Sequence, residues 1–273
     1  MKKLLCLFLS MLLIFSLASC DTDDDSGKKD PKELTISELI TLVNQKEQVG
    51  YGDNALKVVM NMTANATING EKNDVVQKIE LQMKESGANK IASVTTTVDL
   101  PGESDINNVE YFKNGYLYSV VNGVTYKKST LFEAVTGSAS VTSGDANDLI
   151  KGAKETKLSA EADGTYKIAV ALDPKSDNAF VNDIIAGFGA GSGTQDENIT
   201  IKELKAEVII SADYFLSGIN MNIELSAQLP NAGLVEMVID VATSAELLGA
   251  DYEIKVPEGF NIDNAIDINQ DEL

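Results

Sequence analysis

The side chain best placed for chemistry in this sequence is the thiol of Cys20, which ends the run Leu17-Ala18-Ser19-Cys20 between an apolar leader and an acidic stretch. A thiolate is a nucleophile, so a cysteine in a defined local setting is the first candidate for a covalent bond. The chain has 2 cysteines and 0 histidines, and the other cysteine, Cys6, lies inside the leader. Ser-His-Asp catalysis, Cys-His catalysis and histidine-ligated zinc therefore lack their residues. A serine–lysine pair needs no histidine, but Ser-x-x-Lys occurs only at Ser26 to Lys29, among charged residues. Paired carboxylates are abundant, with 42 Asp and Glu in the chain, yet most acids on a surface serve to keep it solvated. The inventory points away from an enzyme, with no catalytic residue, no metal site and no cofactor.

The elements around Cys20 say how it is positioned. Met1-Lys2-Lys3 is a basic start, and Leu4 to Leu17 is almost wholly apolar, the layout of a secretory signal peptide over residues 1–19. At about 1.5 Å per residue this run falls short of a bilayer core of roughly 30 Å. The Leu-Ala-Ser-Cys ending resembles the lipobox of bacterial lipoproteins. That resemblance implies cleavage before Cys20 and a diacylglycerol on its sulfur, which leaves the folded part without thiol or disulfide. Two acyl chains give a stable anchor where one gives marginal binding. The expected location is extracytoplasmic, tied to a bacterial membrane of the cell envelope or surface without crossing it.

Residues 20–33 continue as a tether. Asp21 to Glu33 contains no apolar residue that could join a core. As a coil it spans roughly 20 Å, and fully stretched about 45 Å. Asp21, Asp23 and Asp25 alternate as in a calcium loop, but the glycine and distal glutamate of such a loop are misplaced, so the acids read as solvated charge. The formal charge is -20, and two units more negative once Lys2 and Lys3 leave. Such a surface repels nucleic acid phosphates and anionic headgroups, which excludes nucleic acid as a partner.

The remainder reads as one domain over residues 34–260, followed by a loose acidic tail over 261–273. It opens with a helix, because Thr35-Ile36-Ser37-Glu38 has the form of a capping box and Ile36, Leu39, Ile40 and Val43 make one apolar stripe. From Leu56 to Ile68 every even position is apolar, which predicts a long strand with one wet face. The period continues through Ile79, Leu81 and Met83 and again through Ala92, Val94, Val98 and Leu100. Asn114-Gly115 and Asn122-Gly123 predict two type I′ hairpins. One or two short helices are expected between Ser129 and Gly152, after a second Thr-x-x-Glu at Thr130 to Glu133. Strands follow near Lys157 to Ala162 and Thr165 to Leu172, then a helix after Pro174 that runs into the glycine-rich stretch 187–193. Four more strands are expected: Ile199 to Ala212, Ile219 to Leu229, Leu234 to Thr243 and Tyr252 to Val256.

About ten strands each present one apolar face, and the helices offer about three stripes to cover them. The fold class expected is α+β, mostly antiparallel β, with a long sheet that must curl, closing as a barrel or sandwich or wrapping as a half-barrel around a few short helices. The N-terminal helix, long amphipathic strands, Asn-Gly hairpins, mid-chain helices and the closing Ile254-Lys255-Val256-Pro257 together resemble the LolA-like superfamily over roughly Leu34 to Gly259. That group includes lipoprotein carriers and the mycobacterial lipid-carrying lipoproteins. The resemblance implies a half-barrel with an acyl chain in its concavity and transfers no functional residue.

The methionines bear on that expectation independently, since Met60, Met62, Met83, Met221 and Met237 all fall on the apolar parity of predicted strands. Methionine suits adaptable apolar surfaces, although it also fills gaps in ordinary cores. The candidate ligand-binding concavity is Met60, Met62, Ile79, Leu81, Met83, Val94, Ile210, Ile219, Met221, Ile223 and Met237, with Cys20 as the lipid attachment site. The cluster Tyr111, Phe112, Tyr116 and Tyr118 fits aromatic pairing across hairpins better than ligand stacking. Two functions follow: an anchored lipoprotein that binds or carries a lipid or amphiphile, or a surface lipoprotein that acts through protein contacts in adhesion or envelope assembly.

Overall fold

Alternation of apolar and polar residues makes strands with two unlike faces, and a computed structural model of the chain builds its fold from them. The structure describes residues 34–49, 52–68, 70–87, 89–136, 143–174, 181–182, 185–186, 199–229 and 233–268. The leader, Cys20, the tether, the glycine-rich stretch 187–193 and most of the helix expected after Pro174 lie outside them.

In chain order the elements are α1 (Ile36–Val49), β1 (Leu56–Ile68), β2 (Glu71–Ser86), β3 (Asn89–Asp99), β4 (Ile106–Lys113), β5 (Tyr116–Val121) and β6 (Val124–Ser129). Then come α2 (Phe132–Thr136), α3 (Ser143–Lys151), β7 (Ala153–Ala160), β8 (Tyr166–Leu172), β9 (Ile199–Ile210), β10 (Leu216–Leu229) and β11 (Gly233–Leu247). A 3-10 turn at Ile262–Asn264 precedes β12 (Ile266–Asp267). One 12-stranded sheet runs in the order β12-β6-β5-β4-β3-β2-β1-β11-β10-β9-β8-β7. That order has two ends, so the strands form neither a closed barrel nor two sheets. The fold class is α+β, mostly antiparallel, with the open sheet that a half-barrel has.

Local chemistry accounts for the elements. At α1 the Thr35 N–H donates to Glu38 Oε2 at 2.9 Å and the Glu38 N–H donates to Thr35 Oγ1 at 3.2 Å, the reciprocal pair of a capping box. Leu39, Ile40 and Val43 of this helix are buried. In β1 the buried residues are Leu56, Val58, Met60, Met62, Ala64 and Ala66, the parity read from sequence. Asn114 and Gly115 take φ 50° and 87°, and Asn122 and Gly123 take 52° and 79°, as type I′ turns require.

By backbone proximity the chain divides into two compact units. The first holds Met62–Val75, Val141–Thr243 and the described part of Met1–Gly50. In it α1 packs on α3, and α3 on β7 and β8, around Leu39, Val43, Leu149, Ile168 and Val208. The second holds Tyr51–Asn61, Val76–Ser140 and Ser244–Leu273. Here α2 packs on β3, and Phe132 meets Phe112 edge to face at 5.3 Å.

Two expectations are corrected. Tyr252 to Val256 forms no strand: Lys84 Nζ donates to the carbonyls of Ala250 and Tyr252, and Tyr252 Oη donates to Gln82 Oε1. Side chains of β2 thus hold this segment without a ladder. The tail from Asn261 to Ile268 is fixed to β6, since β12 adds in parallel beside Tyr126 and Lys127 and the Asn261 N–H donates to Thr125 Oγ1 at 2.8 Å.

Candidate functional site

The residues proposed from sequence for an apolar concavity fall into both units. Met62, Ile210, Ile219, Met221, Ile223 and Met237 belong to the first, and Met60, Ile79, Leu81, Met83 and Val94 to the second. All are buried except Met83, which is half-buried. In the first unit Ile219 stands opposite Val208, Ile223 opposite Leu204 and Met221 opposite Ala206. In the second, Leu81 stands opposite Val94 and Met83 opposite Ala92. Each of these two methionines therefore faces a methyl group across its strand pair, a long flexible thioether against the smallest apolar partner. In each unit the strand face that carries them is mostly buried and apolar.

One residue on this face was passed over in the sequence. Gln77 of β2 is 3% exposed, and its Oε1 has no hydrogen-bond partner. Its place on the apolar parity of Ile79 and Leu81 was a legible signal, because a polar residue there breaks the alternation.

The opposite face of the first unit holds a different kind of site. A cleft of ≈ 440 Å³ is lined by Asn65, Thr67, Lys72, Asp74, Lys202, Glu224, Glu236 and Val238, with Ala66, Leu225 and Met237 behind them. Lys202 on β9 reaches Glu236 on β11 at 2.6 Å, although β10 lies between them in the sheet. The hydrogen bond and charge of Lys202 hold the Glu236 carboxyl below its ordinary value. A carboxylate so held is a poor general base at neutral pH, and the cleft is fitted to hydrogen-bond polar groups. Of the residues expected to bind, it includes Met237 alone.

In the second unit the polar face is knit by ion pairs. Burial pushes the Glu80 carboxyl up, but hydrogen bonds from Lys57 and Gln82 and the charges of Lys57 and Lys78 outweigh it and leave the group below its ordinary value. Lys90 joins Glu85 at 2.8 Å and Glu133 at 2.9 Å and stands 5.2 Å over the Phe132 ring. The aromatic cluster is split by parity and depth. Tyr111 and Phe112 are core residues, Tyr118 is half-buried and Tyr116 is exposed. Tyr111 pairs in register with Tyr118, their rings 6.2 Å apart, which is hairpin packing. Burial raises the Tyr111 hydroxyl above its ordinary value, with Tyr118 adding to the shift. Among the described residues no three Asp, Glu, Cys or His side chains converge to hold a metal ion, and no helix is long and apolar enough to cross a membrane.

No protein-family model and no curated protein matches the sequence. Solved structures similar to parts of it include a DUF1329 family protein from Desulfovibrio piger, at 10% identity over 83% of this chain and 96% of that one, with TM-score 0.20. A domain described as an outer membrane lipoprotein-sorting protein, from Vibrio parahaemolyticus, matches at 9% identity over 77% and 92%, with TM-score 0.19. The attachment invasion locus protein of Yersinia pestis matches at 7% identity over 71% and 99%, with TM-score 0.17. At these scores none assigns the chain a function.

Proposed function

We propose that this protein is a lipoprotein, anchored outside the cytoplasm through Cys20, that takes a lipid or amphiphile against the apolar face of its sheet. The observation that carries the reading is the placement of the methionines. All five beyond the leader lie on the apolar parity, and across the β2–β3 and β9–β10 pairs Met83 and Met221 both face alanine. Flexible side chains with small neighbours can repack around a guest where a branched, interlocked core would resist it. The leader and the lipobox-like ending at Cys20 supply the location.

The test uses the mature chain from residue 20 carrying Cys20→Ser, so that neither leader nor acyl group of its own is present. Purified from its own host and sprayed under native conditions, it should show a mass above the polypeptide that collisional activation releases as an amphiphile. A bare polypeptide mass would overturn the reading.

One observation favours a second function, protein contact at a surface. In the second unit Leu131 is 72% exposed and Val121 54%, with Tyr116 and Val124 also exposed around the β5–β6 ribbon. Scattered apolar residues are ordinary on a surface, so this reading stands second.

A further inference from the structure

Gln77 carries the inference furthest. A buried amide oxygen without a donor has lost its water and gained nothing in exchange, and native proteins leave few such groups. Around it on the same face of the second unit are Ile79, the cross-strand partner Val98 and Leu100, all buried and apolar, and half-buried Thr96 opposite Ile79, whose hydroxyl makes no hydrogen bond to the Gln77 oxygen. The other buried polar residues of that unit are satisfied elsewhere. Thr125 Oγ1 accepts from the Asn261 N–H, and Thr136 Oγ1 donates to the Phe132 carbonyl. A trapped water needs two or more polar partners, and beside Gln77 the strand backbones spend theirs on the β2–β3 ladder. The missing donor must therefore come with something apolar enough to sit among these side chains.

We infer that Gln77 Oε1 is the polar contact of the bound amphiphile and that the ligand is a neutral molecule able to donate a hydrogen bond, such as a long-chain alcohol, a monoacylglycerol or a fatty amide. The inference rests on the amphiphile reading above and narrows it. An anionic headgroup would meet an acceptor oxygen, and the described residues place no buried Lys or Arg on the apolar face to compensate its charge. A donor group would satisfy the orphaned Gln77 oxygen.

The experiment measures displacement of a fluorescent apolar dye from the Cys20→Ser mature chain by tetradecan-1-ol, by its methyl ether and by tetradecanoate at neutral pH. The alcohol and the ether share a chain length and differ in the donor. The alcohol should bind about fivefold more tightly than the ether, the size of one neutral hydrogen bond, and more tightly than tetradecanoate. In Gln77→Met the alcohol and the ether should bind alike, and the ligand-free variant should unfold at the same or a higher temperature, because a near-isosteric apolar group replaces an unpaired one. Equal binding of alcohol and ether by the wild type would overturn the role of Gln77 and leave the amphiphile reading standing. A preference that survives Gln77→Met would do the same. Failure of all three probes to displace the dye would overturn the amphiphile reading itself.

Discussion

The turns of the two units meet one backbone demand with different residues. In the second unit the chain reverses at Asn114-Gly115 and Asn122-Gly123, where both residues are left-handed and nothing lies within 4 Å of a Cβ on either glycine. In the first unit it reverses at Glu161 to Thr165 and at Ser211 to Phe215, two five-residue turns with matching hydrogen bonds. The Glu161 N–H donates to the Thr165 carbonyl at 2.7 Å and the Ser211 N–H to the Phe215 carbonyl at 2.8 Å. The Gly164 N–H donates to the Glu161 carbonyl at 3.2 Å and the Tyr214 N–H to the Ser211 carbonyl at 3.0 Å. The left-handed position is Gly164 in one turn and Tyr214, at φ 60°, in the other. These turns also lean on each other: a Cβ on Gly164 would stand 2.9 Å from Ala212 Cβ, and the Tyr166 and Tyr214 rings stack at 6.3 Å. A free turn needs glycine for its dihedral angle alone. A packed pair needs it for space as well, and lets an aromatic residue hold the strained position because its ring has a neighbour.

Glycine replacement tests that contrast most strongly. Gly164→Ala should cost about 2–4 kcal/mol, left-handed strain plus overpacking against Ala212, while Gly115→Ala should cost about 1–2 kcal/mol from strain alone. Urea unfolding of the two variants measures the difference, and equal losses would show that the packing of the turns is energetically silent. A smaller effect is expected at Tyr214. Glycine there relieves the strain but loses the stack, so Tyr214→Gly should stay within about 1 kcal/mol of wild type, while Tyr214→Ala keeps the strain and should lose about 1 kcal/mol. If the alanine variant proves the more stable of the two, the left-handed backbone at this position carries no strain.

The smallest effect concerns acid. The Thr165 N–H donates to Asp163 Oδ1 at 2.9 Å and holds that carboxyl below its ordinary value of 3.8. A depressed folded-state pKa stabilises above the unfolded value and stops doing so as pH falls through the folded one. The stability gap between wild type and Asp163→Asn should therefore be constant near neutrality and close below pH 3.8. A gap that persists into strong acid would remove the charge from the account.

Much of the fold was legible because its signals are local. The capping box at Thr35 and Glu38, the even-position apolar run of β1 and the two Asn-Gly pairs each specify structure within a few residues. What depended on distant partners was not legible. The ≈ 440 Å³ cleft draws polar residues from β1, β2, β9, β10 and β11, and it exists because β1 lies beside β11, a pairing that no local pattern encodes. Tyr252 to Val256 has strand-like residues but finds donors on β2 side chains instead of a neighbouring strand. Tyr214 breaks the local rule for a left-handed residue, so its turn gave no sign of itself. Gln77 was readable as a flaw in the alternation of β2, but only coordinates show that its oxygen is alone.

The last strand has a consequence in time. β6 would be an open sheet edge without β12, and open edges recruit other chains. Yet β12 lies far downstream of β6, beyond α2, α3 and five long strands. A chain emerging from its N-terminus therefore exposes the edge of β6 until nearly all of the domain has followed it, and Ile266 and Asp267 cannot cover Tyr126 and Lys127 before then.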